Sequence, residues 1–67
     1  MEILINDKPY TVNEHTSLSL ALELIDIKNQ SGIAVAVNNR VIPKAHWPGH
    51  TLSPNDKILV IRVAQGG

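Results

Sequence analysis

Apolar and polar residues alternate with a period of two at both ends of the chain, and with a helical period once in between. Met1-Glu2-Ile3-Leu4-Ile5 is apolar and rich in β-branched residues, and Asn6-Asp7-Lys8-Pro9 interrupts it. Asn6 and Asp7 tolerate left-handed backbone and Pro9 pre-sets φ. Tyr10-Thr11-Val12 then resumes the alternation, so the spacing predicts a β-hairpin of residues 1–6 and 9–13. From Thr16 the period changes. Leu18, Ala21, Leu22 and Ile25 stand at i, i+3, i+4 and i+7, one face of a helix. Thr16 or Ser17 suits the N-cap, Leu20, Leu24 and Ile27 widen the apolar stripe, and Gly32 is a natural stop. Lys28 near that end favours the helix dipole and Asp26 opposes it. Residues 33–37 read as a buried strand, Asn38-Asn39 as a tight turn, and 40–42 as a short strand ended by Pro43. Residues 44–50 form a loop with room for one 3-10 turn. Residues 51–56 form a turn, and 57–64 the longest strand.

The order is ββαβββ. A single helix covers one face of one sheet, which makes a two-layer α+β domain. A hairpin, a crossover helix and further strands fit the β-grasp (ubiquitin-like) arrangement. It is a mixed sheet of four to five strands on one α-helix, with the last strand central and parallel to the first. Residues 1–67 make one domain ending in a flexible Gly-Gly tail, with no repeat or linker.

The last strand is apolar on both faces. Ile58 and Val60 share one side with Arg62, while Leu59, Ile61 and Val63 share the other. Strands buried on both faces need cover on both, and only one helix is available. Ile58 and Val60 are assigned to the core, because Arg62 can leave it near the strand's end. Leu59, Ile61 and Val63 are then a partner-binding patch beside the tail, unless the loop 44–52, with Trp47, folds over that face.

Composition narrows the function. Six basic residues balance six acidic ones, and no basic run exists, so the attraction that drives nucleic-acid binding is missing. Tyr10 and Trp47 are the only aromatic residues. The amino-terminal stretch matches neither a signal peptide nor a membrane span, which points to a cytoplasmic protein without membrane partners. With no cysteine there is neither a disulfide nor a reactive thiol. His46 and His50 stand four apart, but Pro48 and Gly49 between them argue against a helix, and no metal site is expected. Glu14-His15-Thr16-Ser17 brings acid, imidazole and hydroxyl together, yet a triad needs geometry rather than adjacency. The hydroxyls suit helix caps. No residue is assigned a catalytic role, and no cofactor is expected to bind.

What remains is the terminus, Gln65-Gly66-Gly67. At average glycine usage a terminal pair arises in about 0.5 % of chains by chance. Lacking Cβ atoms, Gly66 and Gly67 can thread a narrow channel in a partner enzyme together with Gln65. A free carboxylate on Gly67 can attack the α-phosphate of ATP, and a sulfur or nitrogen nucleophile can then displace AMP. No side-chain catalyst in this chain is needed.

The opening MEILIND, the central AVAVNNRVIPKAHW, the PNDKILVIRV leading into the last strand, and the terminal GG together resemble the ThiS family. These are ubiquitin-like sulfur carriers of thiamine biosynthesis, and the likeness runs essentially end to end. The resemblance implies that an E1-like enzyme adenylates Gly67 with ATP and that the terminus becomes a thiocarboxylate. It implies a sulfur-donating enzyme as a further partner and thiazole synthase as the recipient of the sulfur. The carrier is expected to be monomeric when free. Three other readings stay open: the small subunit of molybdopterin synthase, a modifier joined to lysines, and a β-grasp interaction module whose glycines are incidental. Zero Phe and the short length lean against the first.

Overall fold

The computed structural model describes residues 1–25 and 32–62 of the chain. Two hairpins are set by their turns. Strands β1 (Glu2–Ile5) and β2 (Lys8–Thr11) pair antiparallel, with Ile5 opposite Lys8. Strands β3 (Ile33–Val37) and β4 (Arg40–Val41) pair likewise, with Val37 opposite Arg40. Each loop holds two residues with positive φ: 50° and 69° at Asn6 and Asp7, 51° and 69° at Asn38 and Asn39. That is the type I′ turn, whose twist matches that of the flanking strands and which Asn and Asp adopt at least cost.

Strand β5 (Lys57–Arg62) closes the sheet in the order β2-β1-β5-β3-β4. It is parallel to β1 and antiparallel to β3, with Ala36 opposite Leu59 and Ala34 opposite Ile61. The five-stranded mixed sheet with its last strand central is the β-grasp arrangement anticipated from the element order.

The helix α1 is short, Leu18–Leu22, and the Ser17 hydroxyl caps it by accepting the Leu20 N–H at 3.2 Å. Leu18, Ala21 and Leu22 are buried against the sheet. Leu20 and Leu24 do not widen that face as the periodicity suggested, being 57 % and 51 % exposed. Leu20 lies about 200° round the helix from Leu18, so it cannot share a stripe about half that wide. Ile27 and the charges at 26 and 28 fall outside the described residues. Gly32, where β3 is about to begin, takes φ 76°, the left-handed conformation that suits a helix stop.

A 3-10 helix, Lys44–Gly49, follows β4 and packs against α1 rather than over the other sheet face. Its Trp47 is buried in the core with Leu18, Leu22, Ile42 and Leu52, and its indole N–H donates to the Ile42 carbonyl at 2.8 Å. The segment is tied to the helix start by two main-chain bonds, Leu18 N–H to His50 O and Leu52 N–H to Thr16 O. Ile3, Ile5, Val35, Val37 and Ile58 complete the core from the sheet. Since α1 and the 3-10 helix share one face, the other face of the sheet is left without a covering layer among the described residues. No described helix is long and apolar enough to cross a membrane.

Candidate functional site

Strand β5 leads towards the terminus, and three polar side chains hold it in register. β1 turns away after Ile5, so its parallel ladder with β5 is short. Asn6 prolongs it: its N–H donates to the Ile58 carbonyl at 2.9 Å, and its side-chain Oδ1 accepts the Val60 N–H at 2.8 Å. On the other edge, Asn38 Oδ1 accepts the Lys57 N–H at 2.9 Å. The Asn38 amide in turn donates to Asp56 Oδ1 at 2.9 Å, while Asp56 Oδ2 accepts the Ser53 N–H at 2.8 Å. Both oxygens of this buried carboxylate are therefore engaged, as burial of a charge requires.

The alternation along β5 sorts its side chains as the sequence pattern suggested. Ile58 is 2 % exposed and Val60 packs against the core, whereas Leu59 and Ile61 are 50 % and 47 % exposed on the uncovered face. Opposite them on β3 stand Ala36 and Ala34, whose short side chains leave the two large ones proud of the sheet. Val41 of β4 pairs with Ala36 on the same face and is 68 % exposed. The apolar surface thus runs across three strands. Sequence reasoning missed Val41, although Val41-Ile42 carried the signal: consecutive strand residues face opposite sides, and Ile42 is the buried one. Val63 and the tail residues Gln65, Gly66 and Gly67 lie outside the described residues.

The other chemical candidates are not brought together. The Thr16 hydroxyl donates to the Asn13 carbonyl and the Ser17 hydroxyl caps α1, so the run from Glu14 to Ser17 is a turn and a cap. His15 is exposed at φ 67° within it. His46 and His50 border a shallow hollow with Ala45 and Gly49. Among the described residues no group of three or more His, Cys, Asp or Glu side chains could hold a metal ion. The cleft between the two asparagine turns, about 420 Å³, has Asp7 and Lys57 as its only charged lining residues.

Comparison with known proteins agrees with this picture. The ThiS family model matches residues 3–67, and so runs through the terminal glycines. The sulfur carrier protein ThiS of Escherichia coli is 33 % identical over 67 residues, covering the whole of both chains. The ycf40 protein of Porphyra purpurea is 28 % identical over the whole of this chain and 93 % of its own. Among solved structures, the thiamine biosynthesis protein ThiS from Geobacter metallireducens superposes with a TM-score of 0.84 over the full length of both chains, at 22 % identity. At that identity the superposition speaks for the fold, and the β-grasp assignment stands on it together with the strand order. On the family match and the full-length relative, the chain belongs to the ThiS family, the sulfur carriers of thiamine biosynthesis.

Proposed function

We propose that this protein carries sulfur on its own main chain, as a thiocarboxylate at Gly67. The observation that carries the reading is the family match through Gly66-Gly67, in a chain with no cysteine to hold sulfur elsewhere. The Gly67 carboxylate attacks the α-phosphate of ATP held by an E1-like partner, and pyrophosphate leaves. Sulfur from a sulfur-donating enzyme then attacks the acyl carbon and expels AMP. Delivered as hydrosulfide it gives the thiocarboxylate directly. Delivered as an enzyme persulfide it gives an acyl disulfide whose S–S bond a second thiol reduces, releasing the thiocarboxylate and leaving the thiol in a disulfide with the donor. Thiazole synthase receives the sulfur. The carrier is acted on by these enzymes and contributes no catalytic side chain.

The fold supports this division of labour. Five residues follow Arg62, a reach of about 17 Å when extended. A partner that grips Leu59 and Ile61 can therefore place Gly67 in a recessed site, with Gly66 and Gln65 threading the channel. The half-exposed pair Leu59 and Ile61, on the sheet face left uncovered among the described residues, is the docking surface in this reading.

Intact-mass analysis after incubation with the activating enzyme, ATP and a sulfur source tests it. One oxygen-to-sulfur exchange, localised to Gly67 by fragmentation, is expected. Growth of a lysine-linked adduct with no oxygen-to-sulfur exchange would instead make the protein a modifier.

A further inference from the structure

Among the described residues the sheet has three free edges, and main-chain hydrogen bonds decide what each one offers. On β2, the Val12 N–H donates to Met1 O and the Met1 ammonium to Val12 O, so Val12, Tyr10 and Lys8 face β1 while Thr11 and Pro9 face outward. Pro9 has no N–H to offer. On β4, the Ile42 N–H donates to Val35 O, so Val41 and, two residues on, Pro43 face outward. Pro43 also lacks an N–H, and its carbonyl accepts the His46 N–H at 2.8 Å. Each outer edge is thus left with one residue, Thr11 or Val41, that turns both main-chain groups outward, and a proline two positions away. Prolines so placed block pairing with another strand.

The third edge is the end of β5. The Leu4 N–H donates to Asp56 O and the Asn6 N–H to Ile58 O, so the even-numbered residues of this strand turn their main chain towards β1. But β1 ends at Ile5, and beyond it Asn6 reaches only the Val60 N–H, through Oδ1. The Val60 carbonyl and both main-chain groups of Arg62 therefore face past the β1–β2 turn, with no hydrogen-bond partner among the described residues. No proline stands in β5. Ile61, 47 % exposed, lies between these two residues on the uncovered face, and Gly67 is five residues beyond Arg62.

We propose that this edge takes an extended strand of the activating enzyme, which adds to the sheet beside β5 by bonding the Val60 carbonyl and the Arg62 main chain. The contrast among the edges carries the inference: two are closed by proline, and the one left open leads to the terminus. In strand addition main-chain bonds supply affinity and side chains such as Ile61 supply fit. Pairing at Arg62 also holds the chain extended as it leaves the sheet, which aims Gly67 along the partner's channel. This rests on the reading of the protein as a carrier whose terminus is adenylated, and adds how the enzyme holds it.

Amide hydrogen exchange of the full-length carrier, free and bound to the activating enzyme, tests it. The Arg62 N–H should exchange freely in the carrier alone and slow by about tenfold or more in the complex, while Thr11 and Val41 keep their rates. Substitution then separates main chain from side chain. Arg62→Ala keeps the N–H. Arg62→Pro removes it without breaking a bond inside the sheet, and Ile61 before it is already extended. In ATP–pyrophosphate exchange the proline variant should show a KM about tenfold above that of the alanine variant, at nearly equal kcat. Thr11→Pro, which removes the outward N–H of β2, should stay within about twofold of wild type. Circular dichroism checks that each variant folds. An Arg62 amide that exchanges as fast in the complex as in the free carrier would overturn the proposal, whether or not the proline variant folds. So would equal KM values for the two Arg62 variants, or Arg62 protection that grows with carrier concentration alone, which would make the edge a contact between copies. Deletion of Gly67 separates the two readings: ATP–pyrophosphate exchange that survives it removes the carboxylate mechanism, whereas Arg62 protection reports on docking alone.

Discussion

The Oδ1 atom of Asn6 accepts the Val60 main-chain N–H at 2.8 Å, across a sequence separation of 54 residues. A turn residue thereby supplies the ladder bond that β1 no longer provides, at the point where β5 heads for the terminus. The same residue sits at φ 50°, so two effects can be separated by substitution. Asn6→Gly keeps the turn and loses the acceptor, which costs about 1 kcal/mol. Asn6→Ala loses the acceptor and also strains the left-handed backbone, for a total of about 2 kcal/mol. Urea unfolding of the three proteins gives the order wild type, then Gly, then Ala. A glycine variant as stable as wild type would show that the side-chain bond contributes nothing.

On the opposite edge, Asp56 fastens the turn that launches β5. Asp56→Ala leaves the Ser53 N–H and the Asn38 amide without their acceptor. Removing an acceptor from partly buried donors costs about 1–3 kcal/mol. In a domain of this size 1 kcal/mol moves Tm by roughly 4–8 °C, so a fall of about 10 °C is expected in a thermal melt. Asp56→Asn retains one carbonyl acceptor and should recover about half of it. If both variants melt with the wild type, the network is ornamental to stability.

Much of this fold was legible because its punctuation is chemical. Asn6-Asp7 and Asn38-Asn39 announce left-handed turns by residue type alone, and both are there. That one face of β5 is bare followed from counting how many layers one helix can cover, and the choice of Ile58 as inside and Leu59 and Ile61 as outside followed from Arg62 being able to leave the core near the strand's end. Leu20 and Leu24 misled because apolar residues on a helix report periodicity, not how wide a stripe the sheet can bury. The reach of Asn6 to Val60 and of Asn38 to Lys57 was not legible at all. Their identity is explained locally by the turns, and the second partner is set by tertiary placement.

Trp47 is the largest side chain in the core and also a hydrogen-bond donor, to Ile42. Trp47→Phe leaves the Ile42 carbonyl unpaired and a smaller ring in the same space, for a loss of about 2 kcal/mol. Trp47→Ala removes about 3–5 kcal/mol, comparable to the whole stability of many small domains. The alanine variant is therefore expected to be largely unfolded at room temperature by circular dichroism. Indole fluorescence of the wild type should be blue-shifted and should move red with the urea transition. Red-shifted emission from the native protein would contradict the burial at 2 % exposure.

The structure exposes large apolar side chains in two places, and only one is assigned to docking. Leu59 stands on the central strand β5, on the sheet face that neither helix covers, whereas Leu20 stands on the outer side of α1, away from the sheet. Leu59→Thr keeps a strand-forming side chain and removes apolar contact surface. Its stability should stay within about 0.5–1 kcal/mol of wild type. Its kcat/KM with the activating enzyme should fall by roughly ten- to thirtyfold, as for a contact residue worth about 1–2 kcal/mol. Leu20→Ala should leave both quantities unchanged, because the replacement is a better helix former and the lost area faced water. Were Leu20→Ala to impair adenylation while Leu59→Thr did not, the docking surface would have to be moved from the open sheet face to the outer side of the helix.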